Sequence, residues 1–384
     1  MPLLVQFGAG SIGRGFIAQL FCLAGWEVAF VEVAEALLAA GQAAESYQVI
    51  EVGPDGEVGC LLEGFTFVDG RDFEAVANLV ARADLASTAV GLNYLTGLSR
   101  VMAEGLTRRD SPMDILICEN GARADSDLRE AILLQLKGRT APPFGCVRTS
   151  IGRMVPLPKP GGSPLDVRVE AYRTLPVDKA AFVGQVPTVG GLVAKDDFTL
   201  VLRQKLYLHN LSHAALAYCG IPKGYETVPQ ALADSELREL MHHATGEAIE
   251  ALARAHGVGE EGQEKVREES WGILADLERR YSNVNLADTL ERVARDPIRK
   301  LGADDRLVGA ARLCWEQGVE PRAICRVILA ACDYECGPAD PCFAVWPELR
   351  AKGWREVLRA TAELASHDPL AKFLEPPTES ITID

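Results

Sequence analysis

Six residues near the start of the chain, Gly8, Ala9, Gly10, Ser11, Ile12 and Gly13, constrain the fold most. They follow an apolar run over residues 3–8 and open a helical pattern from residue 14 to about 23. A turn at Gly25 and a second apolar stretch ending at Glu32 come next. Strand, glycine turn, helix, strand and acidic residue, in that order, form the dinucleotide-binding fingerprint in the context it requires. Gly8 permits the tight turn, Gly10 lets backbone approach a pyrophosphate, and Gly13 lets helix and strand pack closely. The helix N-terminus then faces the phosphates. Glu32 stands where a carboxylate binds the adenosine ribose hydroxyls and repels a 2′-phosphate, so NAD is expected rather than NADP.

The sheet is expected to continue. Residues 46–52 alternate like an exposed strand and reach a turn at 53–56. Residues 84–91 read as a buried strand whose small terminal residues, Thr88, Ala89 and Val90, are candidate cofactor neighbours. Residues 114–118 form a further parallel-type strand with Glu119 and Asn120 at its carboxyl end, the edge where open α/β sheets bind ligands. Asn120 is a candidate for the nicotinamide ribose or the substrate, with a helix cap as the structural alternative. Beyond Pro142 the segments 146–158 and 166–178 look like added strands. A loop marked by Pro156, Pro158, Pro160, Gly161 and Gly162 separates them. After Gly190 and Gly191 the pattern is helical, over 197–219, 227–256, 260–280, 285–296, 304–317, 321–333 and 346–365, with a polar, frayed tail. The expected fold class is α/β: an N-terminal extended Rossmann-type domain (1–193) followed by an all-helical C-terminal domain (194–384).

A chain of 384 residues is too long for one ordinary core, which agrees with two domains. The net charge of −15 argues against nucleic acid as the main partner, though not against a small anion met by a local basic pocket. No apolar run is long enough to span a membrane and the N-terminus lacks signal-peptide features, so a cytoplasmic protein is expected. A monomer is expected, with a homodimer as the alternative. Ten scattered cysteines include a cluster at Cys332, Cys336 and Cys342, but no CxxC pair and no nearby histidine, so no metal site is assigned.

The chemistry is placed on residues 202–220, read as the latter part of a helix begun near Asp196 and Asp197 and ended at Gly220. At 100° per residue, Lys205, His209 and His213 form one stripe, with Asn210 beside it. Desolvation lowers a lysine pKa and makes it a usable base. A nearby amide can donate to an oxygen gaining charge. The structural alternative is a snorkelling lysine beside two satisfied histidines. In residues 292–307, Arg292, Arg295, Arg299, Lys300 and Arg306 concentrate around a helix break at Asp296 and Pro297. Either a solvated face or phosphate recognition explains them.

These residues, taken in order, resemble a known family. Residues 8–15, 46–49, 88–91, Glu119-Asn120, the Lys205-x4-Asn210-x2-His213 pattern and residues 291–307 are similar to the polyol-specific long-chain dehydrogenases, in particular to their mannitol-1-phosphate 5-dehydrogenase branch. The resemblance implies zinc-independent, NAD-dependent interconversion of mannitol 1-phosphate and fructose 6-phosphate. It also implies Lys205 as general base, Asn210 on the reacting oxygen and His213 on the substrate or the lysine, with His209 outside the pattern. Arg153, Arg295, Arg299 and Lys300 are the expected substrate contacts. Gly152 and Leu175 replace an aspartate and a tryptophan usual in the family, and Ser11 an asparagine. Alternatives are the same chemistry on an unphosphorylated polyol or a hexuronate and, in another class, a non-catalytic NAD-binding sensor.

Overall fold

A computed structural model describes residues 1–156, 162–365 and 367–375. The chain divides into two compact units, Met1–Val201 and Leu202–Asp384.

In the first unit, strands β1 (Leu3–Phe7), β2 (Glu27–Glu32), β3 (Tyr47–Gly53), β4 (Gly56–Leu62), β5 (Phe65–Asp69), β6 (Leu85–Thr88), β7 (Met113–Ile117) and β8 (Phe144–Arg148) are followed by β9 (Val167–Glu170), β10 (Leu175–Asp178) and β11 (Leu192–Lys195). Six of them make an all-parallel sheet in the order β5-β2-β1-β6-β7-β8. The order reverses beside β1, so the glycine turn leaves the sheet at the point where doubly wound sheets bind ligands. Both faces are covered, which is why the strands are apolar throughout rather than alternating. Leu4, Val28, Phe30 and Leu116 join one core. Val5, Phe7, Ala29, Val31, Ile115 and Ile117 join the other.

The stretch at 46–52 is a strand but does not extend this sheet. β3 pairs antiparallel with β4 and parallel with β9 in a separate three-stranded sheet. Tyr47, Val49 and Glu51, alternate residues on one face, are buried, while Gln48 and Ile50 between them are half-buried, so its alternation marks one covered face. β10 and β11 form a parallel pair. Because β11 runs to Lys195, regular strand continues past the expected 193/194 boundary, and the compact units part at Val201 and Leu202. Pro158, Pro160 and Gly161 of the expected loop, and residues 376–384 of the tail, lie outside the described residues.

In the second unit, regular structure among the described residues is helical. Helix Leu211–Gly220 is largely apolar and, apart from the half-buried Cys219, buried along its length, as its alanine-rich sequence permits. Ser235–His256, Leu290–Ala294 and Arg322–Cys332 pack around it. The expected helix over 227–256 is interrupted at Asp234, whose carboxylate caps Ser235–His256 by accepting from Glu236 N (2.9 Å) and Leu237 N (3.1 Å). No helix among the described residues is long and apolar enough to cross a membrane.

Candidate active site

The glycine turn is built for close approach. Gly8 has φ +87°, and a Cβ there would meet Ala89 O at 2.4 Å. A Cβ on Gly13 would meet Gly8 O at 2.2 Å, so helix and turn are in contact. A Cβ on Gly10 would meet no atom within 4 Å; its open, exposed backbone is the face a pyrophosphate needs. Ser11 is exposed and Ile12 half-buried. Beneath the turn, the fully buried Gln6 donates from Nε2 to Phe7 O (2.8 Å) and Gly8 O (3.1 Å) and accepts from Ser87 Oγ (2.5 Å). Sequence reasoning missed Gln6; its signal was a lone amide in an apolar strand just ahead of the turn.

Glu32 ends β2 with one carboxylate oxygen accepting from Ala9 N (2.8 Å) and the other from Val33 N (2.7 Å) and Ala34 N (2.8 Å). The carboxylate is thereby fixed against the turn, with lone pairs remaining for ribose hydroxyls. At the ends of β6 and β7, Glu119 accepts from Val90 N (2.7 Å) and Gly91 N (3.0 Å), and burial raises its pKa. Thr88 is buried, Ala89 and Val90 half-buried and Asn120 exposed. Glu119 therefore organises the segment beside Asn120, a role the sequence did not reveal. These residues fit a dinucleotide: open backbone at Gly10, a fixed acid at Glu32 and small residues at the strand end.

Arg153 is not available to a substrate. Its side chain has no exposed surface. The guanidinium donates to Glu170 O (2.6 Å), Gly15 O (2.7 Å), Gln19 Oε1 (2.5 Å) and Glu51 Oε1 (2.7 Å). This corrects the expected contact: the arginine ties the three-stranded sheet to the first helix. Leu175 is fully buried, and Gly152 lies beside the Tyr172 ring.

In the second unit, Lys205–Asn210 is a π-helical segment between Phe198–Gln204 and Leu211–Gly220. A continuous α-helix would place Lys205 and Asn210 about 140° apart, at about 100° per residue. The wider π turn, with its i to i+5 repeat, brings them one above the other. The uniform helical stripe is thus replaced by a tighter convergence. Lys205 is half-buried, and burial, followed by the charge of Arg306, lowers its pKa to about 8.

The buried His213 stacks on Tyr281 with ring centroids 4.1 Å apart. Its Nε2 is 3.7 Å from Asp288 Oδ2 and has no hydrogen-bond partner among the described residues. Burial, then Arg292 and other cations, hold its pKa well below the ordinary value, so the ring is neutral. His209 is neutral for the same first reason, and its carbonyl accepts from Tyr281 OH (3.0 Å) and Ser212 Oγ (3.0 Å). Tyr281 and Asp288 were not singled out in the sequence because nothing local marks them.

The basic segment divides. Lys300 is buried and donates to Val293 O (2.5 Å) and to Arg295 O, closing its own turn. Arg299 is held by Asp296 (2.8 Å) and Asp305 (3.4 Å), and Arg295 is exposed. Asp296 sits at φ +65° before Pro297 and caps Pro297–Lys300; it also accepts from the Cys342 thiol (3.2 Å). Lys300 and Arg299 thus form the turn's own framework, which removes Lys300 as a substrate contact.

The Mannitol dehydrogenase Rossmann domain model matches residues 2–191, and the Mannitol dehydrogenase C-terminal domain model residues 200–369. The chain is 32% identical over 380 residues to the mannitol-1-phosphate 5-dehydrogenase of Brevibacillus brevis, covering 97% of this chain and 96% of the relative. It is 34% identical over 343 residues to that of an Arthrobacter species, covering 88% and 87%. Two solved structures share the fold. One is a substrate-free D-sorbitol dehydrogenase (TM-score 0.77, 17% identity, covering 96% of this chain and 90% of that one). The other is Pseudomonas fluorescens mannitol 2-dehydrogenase with NAD and D-mannitol (TM-score 0.71, 16% identity, covering 97% and 90%). With both family models matched and full-length relatives above 30% identity, this chain belongs to the mannitol dehydrogenase family.

Proposed function

We propose that the protein is an NAD-dependent oxidoreductase that interconverts mannitol 1-phosphate and fructose 6-phosphate. The observation that carries the reading is Lys205, an amine held at a pKa of about 8 on a π segment shared with Asn210. The names of the full-length relatives support the choice of substrate.

In the oxidation direction, neutral Lys205 accepts the proton of the C5 hydroxyl at Nζ. The Asn210 amide donates to the same oxygen as negative charge builds on it. Neutral His213, whose Nε2 has no hydrogen-bond partner among the described residues, takes a hydrogen bond from a neighbouring substrate hydroxyl. Gly8, Gly10 and Gly13 hold the dinucleotide's phosphates and Glu32 its ribose. Bound nicotinamide supplies the hydride acceptor. In the reverse direction, protonated Lys205 returns its proton to the carbonyl oxygen.

The test is NADH oxidation with fructose 6-phosphate beside fructose, tagatose 6-phosphate and a hexuronate. The reading predicts the highest kcat/KM with fructose 6-phosphate. A preference for fructose or a hexuronate would move the protein to another branch of the family, and NADH binding without turnover of any ketose would make it a sensor.

A further inference from the structure

We infer that Arg306, held in place by Asp305, is the residue that receives the substrate phosphate. The inference rests on the phosphorylated-substrate reading above and names the group in this chain that meets the dianion. Among the cations of residues 292–306, Lys300 is engaged by two carbonyls, Arg299 by two carboxylates, and Arg292 by Asp288. Arg306 differs. Its side chain is only 12% exposed, and its Nε (2.8 Å) and backbone N (2.6 Å) both donate to Asp305 Oδ1.

That pair fixes the inner edge of the guanidinium. Neither terminal nitrogen has a hydrogen-bond partner among the described residues. A planar fork with one edge anchored and four N–H groups open is the geometry that binds two phosphate oxygens side by side. At this low exposure little bulk water remains to screen a bound anion.

The position suits the chemistry. Arg306 is among the charges that lower the pKa values of Lys205, His209, His213 and Lys300, so it lies near the proposed base. Both histidines there are neutral. A phosphate on C1 lies roughly 7 Å from a reacting C5 in an extended chain of ordinary bonds. An anion receptor within the cluster, rather than on the exposed Arg295, matches that reach.

The experiment compares kcat/KM for fructose 6-phosphate and for fructose in wild type, Arg306→Gln, Arg306→Lys and Asp305→Asn, with inorganic phosphate as a competitive inhibitor. Wild type is expected to favour the phosphorylated ketose. Arg306→Gln should lower the ratio of the two constants by about 10²-fold or more, the scale of one lost charged contact, and raise the phosphate inhibition constant in parallel. Arg306→Lys keeps the charge without the fork and should fall between. Asp305→Asn should lower the ratio through loss of positioning. Should Arg306→Gln fail to fold, the Arg306→Lys ratio decides. An undiminished ratio in folded Arg306 variants overturns the assignment. A wild type that reduces both ketoses alike overturns the phosphorylated-substrate reading, and the assignment with it.

Discussion

Lys205 sets conditions on the chain that can be measured separately from turnover. Its pKa falls from 10.5 to about 8, chiefly by burial. Between those values the unfolded chain binds more protons than the folded one, so this residue's contribution makes stability rise with pH from about 8 to about 10.5. Below pH 8 the folded protein carries a charged, partly desolvated amine. Lys205→Met should therefore stabilise the protein by roughly 1–3 kcal/mol at pH 7, read by urea unfolding. Proposed as the base, the same amine makes kcat/KM for polyol oxidation rise through pH 8 and level off above it. A profile flat from pH 6 to 10 would contradict that role. Arg153 gives the opposite case. Replacing it with Met leaves Glu51 with one arginine fewer in a buried cluster and should cost about 3–5 kcal/mol of stability.

At the scale of elements, the two functional turns owe their shape to departures from regular structure. Inserting one alanine between Lys205 and Asn210 makes them an i, i+6 pair, turned about 120° from one another at about 100° per residue. The expected outcome is a folded protein by circular dichroism with activity lost. The glycine turn yields a paired test. Gly13→Ala forces a Cβ into Gly8 O and should lower the Tm by several degrees. Gly10→Ala meets no protein atom, so the Tm should hold while NADH affinity falls, measured by fluorescence titration. The glycine spacing, the strands around it and the Lys-Asn-His pattern were legible in the sequence because each is a local signal. The π segment was not, since nothing in KLYLHN distinguishes it from an α-helical turn. The strand at 47–53 was read correctly as a strand, but its sheet depends on β9, more than a hundred residues later.

At the scale of the molecule, an acidic chain with a net charge of −15 concentrates its unusual chemistry on a few near-buried cations. Charge density in the sequence located the basic segment at 292–306 but could not tell a paired cation from an open one. The structure ranks them by partners: Lys300 closes a turn, Arg299 is paired, and Arg306 keeps an open edge. Arg153 misled for the same reason, because its four acceptors come from distant parts of the first unit. The claim that joins these scales is that Lys205 moves the proton. Single-turnover kinetics of Lys205→Ala with mannitol 1-phosphate, beside its NADH dissociation constant, test it most directly. The account predicts a chemical step slower by about 10²–10⁴-fold with NADH affinity unchanged. A Lys205→Ala enzyme that binds NADH normally and turns over at near the wild-type rate would contradict it.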